Sequence, residues 1–83
     1  MTRPQKIRKE ILMQLYGARP LALSPSLMWR EARKAGLDYT EAEVRAEAAF
    51  LHGQDLAQMF TDPVSGETKY AITSKGTMAH ENA

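Results

Sequence analysis

Apolar residues along this chain recur first at helical and then at strand spacing. Ile7, Ile11 and Leu15 stand at i, i+4, i+8, with Leu12 widening the stripe, and predict a helix from about Pro4 to Tyr16. Pro4 suits a first helical position. Gly17-Ala18-Arg19-Pro20 is a breaker cluster. Leu21-Ala22-Leu23 follows as a short alternating run that can pair with a later hairpin as an edge strand. A second helix starts at Ser24, an N-cap, with Pro25 in the first turn. Met28, Ala32 and Ala35 form its apolar face. Gly36 fits the positive-φ position that ends it, with Leu37 folding back as the hydrophobic contact.

The third helix, Thr40 to Gly53, has both ends written in the sequence. The Thr40 hydroxyl can accept from an N–H of the first turn, and Glu43 can reach back to the Thr40 amide, a capping box. Tyr39 and Val44 have the spacing of a hydrophobic staple. Val44, Ala48 and Leu51 make one face apolar, and Gly53 offers a positive-φ stop.

Beyond Asp55 the period changes. Leu56, Gln58 and Phe60 point one way, Ala57 and Met59 the other. After the turn-rich Asp62–Glu67, Thr68 to Ile72 resumes as a strand, so the two runs predict a hairpin with a six-residue tip. Thr73-Ser74-Lys75-Gly76 caps a short terminal segment ending near His80. The expected class is α+β, mainly helical: three helices plus a β-hairpin, with a short third strand at Leu21–Leu23. Residues 1–76 form the single domain and 77–83 a C-terminal stub or tail.

Composition narrows the function. The chain has 83 residues, 43% hydrophobic, and no cysteine, which leaves no disulfide, thiolate metal site or cysteine nucleophile. No apolar run approaches the roughly 18 residues of a membrane span. The charged N-terminus lacks the hydrophobic segment of a signal peptide, so a cytoplasmic protein is expected. Net charge is only +1, but residues 1–42 hold eight Lys/Arg against four acids and residues 43–83 three against six. Such asymmetry hints at an electrostatic face.

The passage Val44-Arg45…Ala48…Leu51…Asp55-Leu56 resembles the pattern V-R-x-x-L-x-x-L-x-x-x-G-L of bacterial winged-helix proteins. Tyr70-Ala71-Ile72-Thr73-Ser74-Lys75-Gly76 resembles their Y-x-[IL]-T-x-x-G at the end of the second wing strand. Nearly the whole chain is similar to small winged-helix proteins of Mu-like bacteriophages and prophages. The resemblance implies a winged helix with the third helix as its recognition element. It also implies double-stranded DNA as partner and transcriptional regulation by promoter occupancy. Asp55 departs from the glycine of the pattern, and Asp tolerates positive φ better than most residues.

On that reading Arg45 contacts a base through its guanidinium fork. Thr40, at the start of the third helix, holds a phosphate. Lys69 on the hairpin and Arg30 and Lys34 on the second helix add backbone contacts. Glu41, Glu43 and Glu47 count against this reading, because carboxylates repel phosphates. Asp62 and Glu67 at the hairpin tip do the same. The alternative is a protein-interaction module on the same fold, with Trp29 and Phe60 as anchors. Trp29 is otherwise accounted for as a seal on the core. Arg33 and Lys34 also complement the dipole at the end of the second helix. Enzyme chemistry is not expected. His52 and His80 lack metal-ligand spacing, there is no glycine-rich phosphate loop, and no cofactor is implied.

Overall fold

The computed structural model describes residues Met1–Ala83. The elements run α1 (Arg3–Ala18), α2 (Pro25–Lys34), α3 (Glu41–Gly53), β1 (Ala57–Thr61), β2 (Thr68–Ile72) and α4 (Ser74–Glu81). The result is an α+β fold of four helices and one antiparallel hairpin. No helix is long and apolar enough to cross a membrane.

The first helix is longer than its stripe predicts at both ends. Thr2 caps it through the Gln5 amide, and the Gln5 side chain accepts from Thr2 N–H at 2.9 Å, a second capping box in the chain. The helix also runs through Gly17 and stops only at Arg19, before Pro20. Proline lacks the N–H a further turn needs and pushes its predecessor out of helical conformation, whereas a single helical glycine costs only about 1 kcal/mol.

The second helix ends as expected. Gly36 has φ +87°, the Leu37 N–H donates to Ala32 O at 3.0 Å, and the Gly36 N–H donates to Arg33 O at 3.0 Å. That pair of bonds is a Schellman motif. Ala35, expected on the apolar face, is instead the exposed cap residue. The third helix closes with the same motif, but not at the expected glycine. Gly53 is its last helical residue, and the left-handed position is Asp55, φ +65°. Leu56 N–H bonds Leu51 O and Asp55 N–H bonds His52 O, at 2.9 and 3.0 Å. The sterics of the left-handed region admit Asp more readily than most residues, so the turn survives without glycine.

The core is the meeting of these apolar faces. Ile7, Ile11 and Leu15 of α1 pack on Met28 of α2 and on Val44, Ala48 and Leu51 of α3. Ala57 and Tyr70 of the hairpin complete the cluster. Strand pairing runs from Ala57↔Ile72 to Thr61↔Thr68, leaving the six-residue tip that the spacing predicts. The third strand is reduced to one bridge, in which Leu23 and Tyr70 exchange N–H···O bonds of 2.7 and 2.8 Å.

The chain end differs most from the expected stub. α4 begins at Ser74, capped by Thr73, and lies against α1. Tyr16 donates its hydroxyl to Glu81 at 2.8 Å, and its ring sits 4.5 Å from that of His80. Gly76 lets the helix approach: a Cβ there would overlap the Leu56 carbonyl. The segment has little apolar periodicity of its own. Contacts with α1 and the hairpin hold it, so local pattern does not reveal it.

Candidate functional site

α3 has two sides. One faces α1 and carries Glu43 and Glu47. Arg3 of α1 holds Glu43 with two bonds, Nε to Oε2 at 2.6 Å and Nη2 to Oε1 at 2.9 Å, and reaches Asp38 at 3.3 Å. Glu43 also accepts from the Thr40 amide at 3.0 Å. The Arg3 bond first, then the backbone bond from Thr40, hold the Glu43 carboxyl down at about 2. In return Glu43 raises the Arg3 guanidinium above its ordinary value. One turn on, Arg8 bonds Glu47 at 2.6 Å, and its guanidinium lies 3.6 Å from the centre of the Phe50 ring. Both partners of the Arg8–Glu47 pair are largely buried, with side chains 29% and 17% exposed.

The other side is open to solvent. Ala42, Arg45, Ala46 and Ala49 are exposed there. Arg45 is held by Glu41 of its own helix at 2.8 Å. It borders a groove with Ser24, Pro25 and Ser26 from the start of α2 and Met59, Glu67, Thr68 and Tyr70 from the hairpin. Glu67 is the only carboxylate lining it. Two of α3's three glutamates therefore face α1, and the third is paired with Arg45. Each α3 glutamate is thus matched by a guanidinium, and two of the three come from α1, which no wheel drawn from α3 alone contains.

The residues expected to act together fall in three places. Arg45 lies in the groove. Lys69 does not, because neighbouring strand residues face opposite ways: Thr68 and Tyr70 line the groove, and Lys69 bonds Asp62 at 3.4 Å. The Asp62 carboxyl is lowered, first by the N–H of Val64, then by that of Ser65, with Lys69 adding to them. Thr40 serves its own helix: its hydroxyl accepts from Glu43 N–H at 3.1 Å, and Glu41 and Glu43 already occupy the first turn. Arg30 and Lys34 do lie together on α2, joined by Arg33 around one shallow depression. Lys34 is paired with Glu31 at 3.2 Å.

Arg33 is the residue that sequence reasoning underrated. Besides standing at the helix end, it borders the α2–α3 turn beside Thr40 and Glu41. Glu41 in turn pairs with Arg45, so a carboxylate separates Arg33 from the groove and Asp38 shares the turn with it. The signal was present, since Arg30, Arg33 and Lys34 stand at i, i+3, i+4 and must share a helix face. Trp29 is half-buried against the core. Its indole N–H donates to Tyr39 O at 2.9 Å, and Arg33 stands 5.0 Å from its ring. It seals the turn. Phe60, the other anchor considered, is 43% exposed on β1.

No three His, Asp or Glu side chains gather where they could hold a metal ion. No known family model, curated protein sequence or solved structure matches the chain.

Proposed function

We propose that this chain is a winged-helix protein that binds double-stranded DNA and regulates transcription by occupying a promoter. The order helix, bridging strand, helix, helix and hairpin supports the winged-helix reading, with α3 as recognition helix and the hairpin as wing. One observation carries the DNA reading. Arg3 and Arg8 of α1 neutralise Glu43 and Glu47, leaving small side chains and Arg45 on the open side of α3. Alanines let a helix approach a groove closely, and a guanidinium fork matches a guanine edge. Arg30 and Arg33 on the flanking helix supply phosphate contacts. Lys34 and Lys69 contribute when their pairings with Glu31 and Asp62 open. Thr40 is left out of the contact set, because its hydroxyl and amide are engaged.

A salt titration of binding to generic duplex DNA tests this. Each phosphate contact contributes about −0.9 to the slope of log affinity against log salt. Three or four contacts predict a slope of about −3. No measurable binding at low salt rejects the proposal. Arg45→Ala then tests the groove assignment: loss of one fork contact weakens the preferred sequence by about 1–3 kcal/mol and relaxes preference at one base pair.

A second reading has its own observation. Leu12, Phe50, Leu56 and Ala79 line an apolar groove between α1, the end of α3 and α4. A protein partner seated there would leave the Arg45 side free, and its binding would be indifferent to Arg45→Ala.

A further inference from the structure

The outer edge of β1 is open, and its chemistry is self-complementary. Tyr70 uses both its N–H and its C=O on Leu23, on the side of β2 away from β1. The pair Met59↔Tyr70 is therefore a non-hydrogen-bonded pair of the hairpin. By the alternation of an antiparallel ladder, Gln58 and Phe60 bond inward to β2, and Ala57, Met59 and Thr61 present N–H and C=O outward. The Ala57 carbonyl is taken by His52 Nδ1 at 3.1 Å. Met59 and Thr61 are left with their backbone groups facing solvent.

Strands that must stay unpaired are usually guarded by charge, proline or a bulge. β1 reads Ala-Gln-Met-Phe-Thr and has none of these. Met59 and Phe60 are 47% and 43% exposed, one on each face of the strand.

We propose that β1 pairs edge to edge with β1 of a second copy, antiparallel, across a two-fold axis through Phe60. The free groups choose this register. Met59 of one copy opposes Thr61 of the other, each such pair exchanging two N–H···O bonds, and the symmetry gives four. Phe60 then faces Phe60 of the second copy as a non-hydrogen-bonded pair, where side chains approach most closely and aromatic pairs contribute most. A register centred on Met59 would need the Ala57 carbonyl, which His52 occupies. Charge agrees: Gln58 opposes Asp62, so no like charges meet. Pro63, with no N–H, ends the ladder. The hairpins of two copies become one four-stranded sheet. This pairing does not depend on DNA binding, and its test contains no DNA.

The chain has no cysteine, so Phe60→Cys introduces a single thiol. At the two-fold axis it would meet its own copy with Cα atoms about 4.5 Å apart, within disulfide reach. Mild copper–phenanthroline oxidation should cross-link Phe60→Cys about tenfold faster than Val64→Cys, a thiol at the exposed hairpin tip, because pairing raises the effective concentration. Sedimentation of the unmodified protein should move from 9.3 kDa toward twice that mass as concentration rises. Met59→Pro removes an outward N–H and no bond of the hairpin, so it should return the protein to monomer while circular dichroism is unchanged. A monomer up to about 1 mM overturns the pairing. So does equal cross-linking of the two thiol variants, or a folded Met59→Pro that still dimerises. If Met59→Pro fails to fold, the cross-linking comparison decides.

Discussion

The two sides of α3 are made of the same helix and do opposite work. Toward α1, Val44, Ala48 and Leu51 are buried, and Glu43 and Glu47 are held by arginines about 40 positions earlier in the chain. On the other side, alanines and Arg45 stand exposed, with no ion pair reaching them from another helix. The closed side fixes where the helix lies, and the open side is what it can offer a partner. The difference teaches that a helix's charge count says little about its exposed face until the neighbouring helix is placed. It also sorts mutations: closed-side changes should move stability, and open-side changes should move binding.

The largest effect is expected from Leu51→Ala. Leu51 is 1% exposed in the core and its carbonyl anchors the turn after α3. Truncation should cost about 2–5 kcal/mol by transfer and cavity terms. Denaturant titration measures this, and DNA affinity corrected for the folded fraction should not change. A comparable loss of affinity per folded molecule would mean that the two sides are not separable.

Arg8→Ala should come next. It removes the partner of a carboxylate that is only 17% exposed, the cation over Phe50, and the packing of its own stem. About 1–2 kcal/mol is expected, above the usual value of an exposed pair and below that of a fully buried one. Glu47→Ala measured alone and with Arg8→Ala gives the coupling, which should lie near 1 kcal/mol. Coupling near zero would reduce the clamp to a surface ion pair.

Glu43→Gln separates the ionic part of the clamp from the cap. Glutamine can still reach the Thr40 amide, but the charge that Arg3 holds is gone. The Glu43 carboxyl titrates near 2 when folded, against an ordinary 4.5. Its contribution is therefore complete above pH 4.5 and lost as pH falls toward 2. Thermal melts should lose stability over that window in the native chain and lose less in Glu43→Gln. Equal slopes for both proteins would place the acid sensitivity elsewhere, with Asp62, whose carboxyl is also lowered, as the next group to test.

The fold is legible in the sequence where a structural cause lies within a few residues. Thr40 with Glu43, Ser24 with Pro25, and Gly36 with Leu37 each act locally, and each appears where the pattern puts it. The capping box of Thr2 and Gln5 is equally local. Asp55 shows the limit of local rules: glycine at position 53 was the obvious stop, but the helix used its full apolar face through Leu51 and turned two residues beyond Gly53. α4 is held by Tyr16, and its close approach to Leu56 needs the bare Cα of Gly76; both partners are far away in sequence, so local pattern predicts only a stub. The same is true of the candidate site. The Arg3–Glu43 and Arg8–Glu47 bonds join residues 40 and 39 positions apart, so only the fold could say which glutamates remain to oppose a polyanion.

The smallest effect is the most discriminating. Glu41 sits at the start of α3, where a carboxylate complements the helix dipole, and it also holds Arg45. Glu41→Gln should lower stability by about 0.3–0.8 kcal/mol through the dipole and the i,i+4 pair together. The same change frees the Arg45 guanidinium and removes a negative charge beside it, so DNA affinity should rise several-fold at low salt and converge on the native value as salt screens the difference. The opposite signs matter more than the sizes. A merely structural role for the pair predicts weaker folding and no gain in binding, and a protein-only partner predicts no DNA response at all. Only an open side that meets DNA makes the less stable protein the tighter binder.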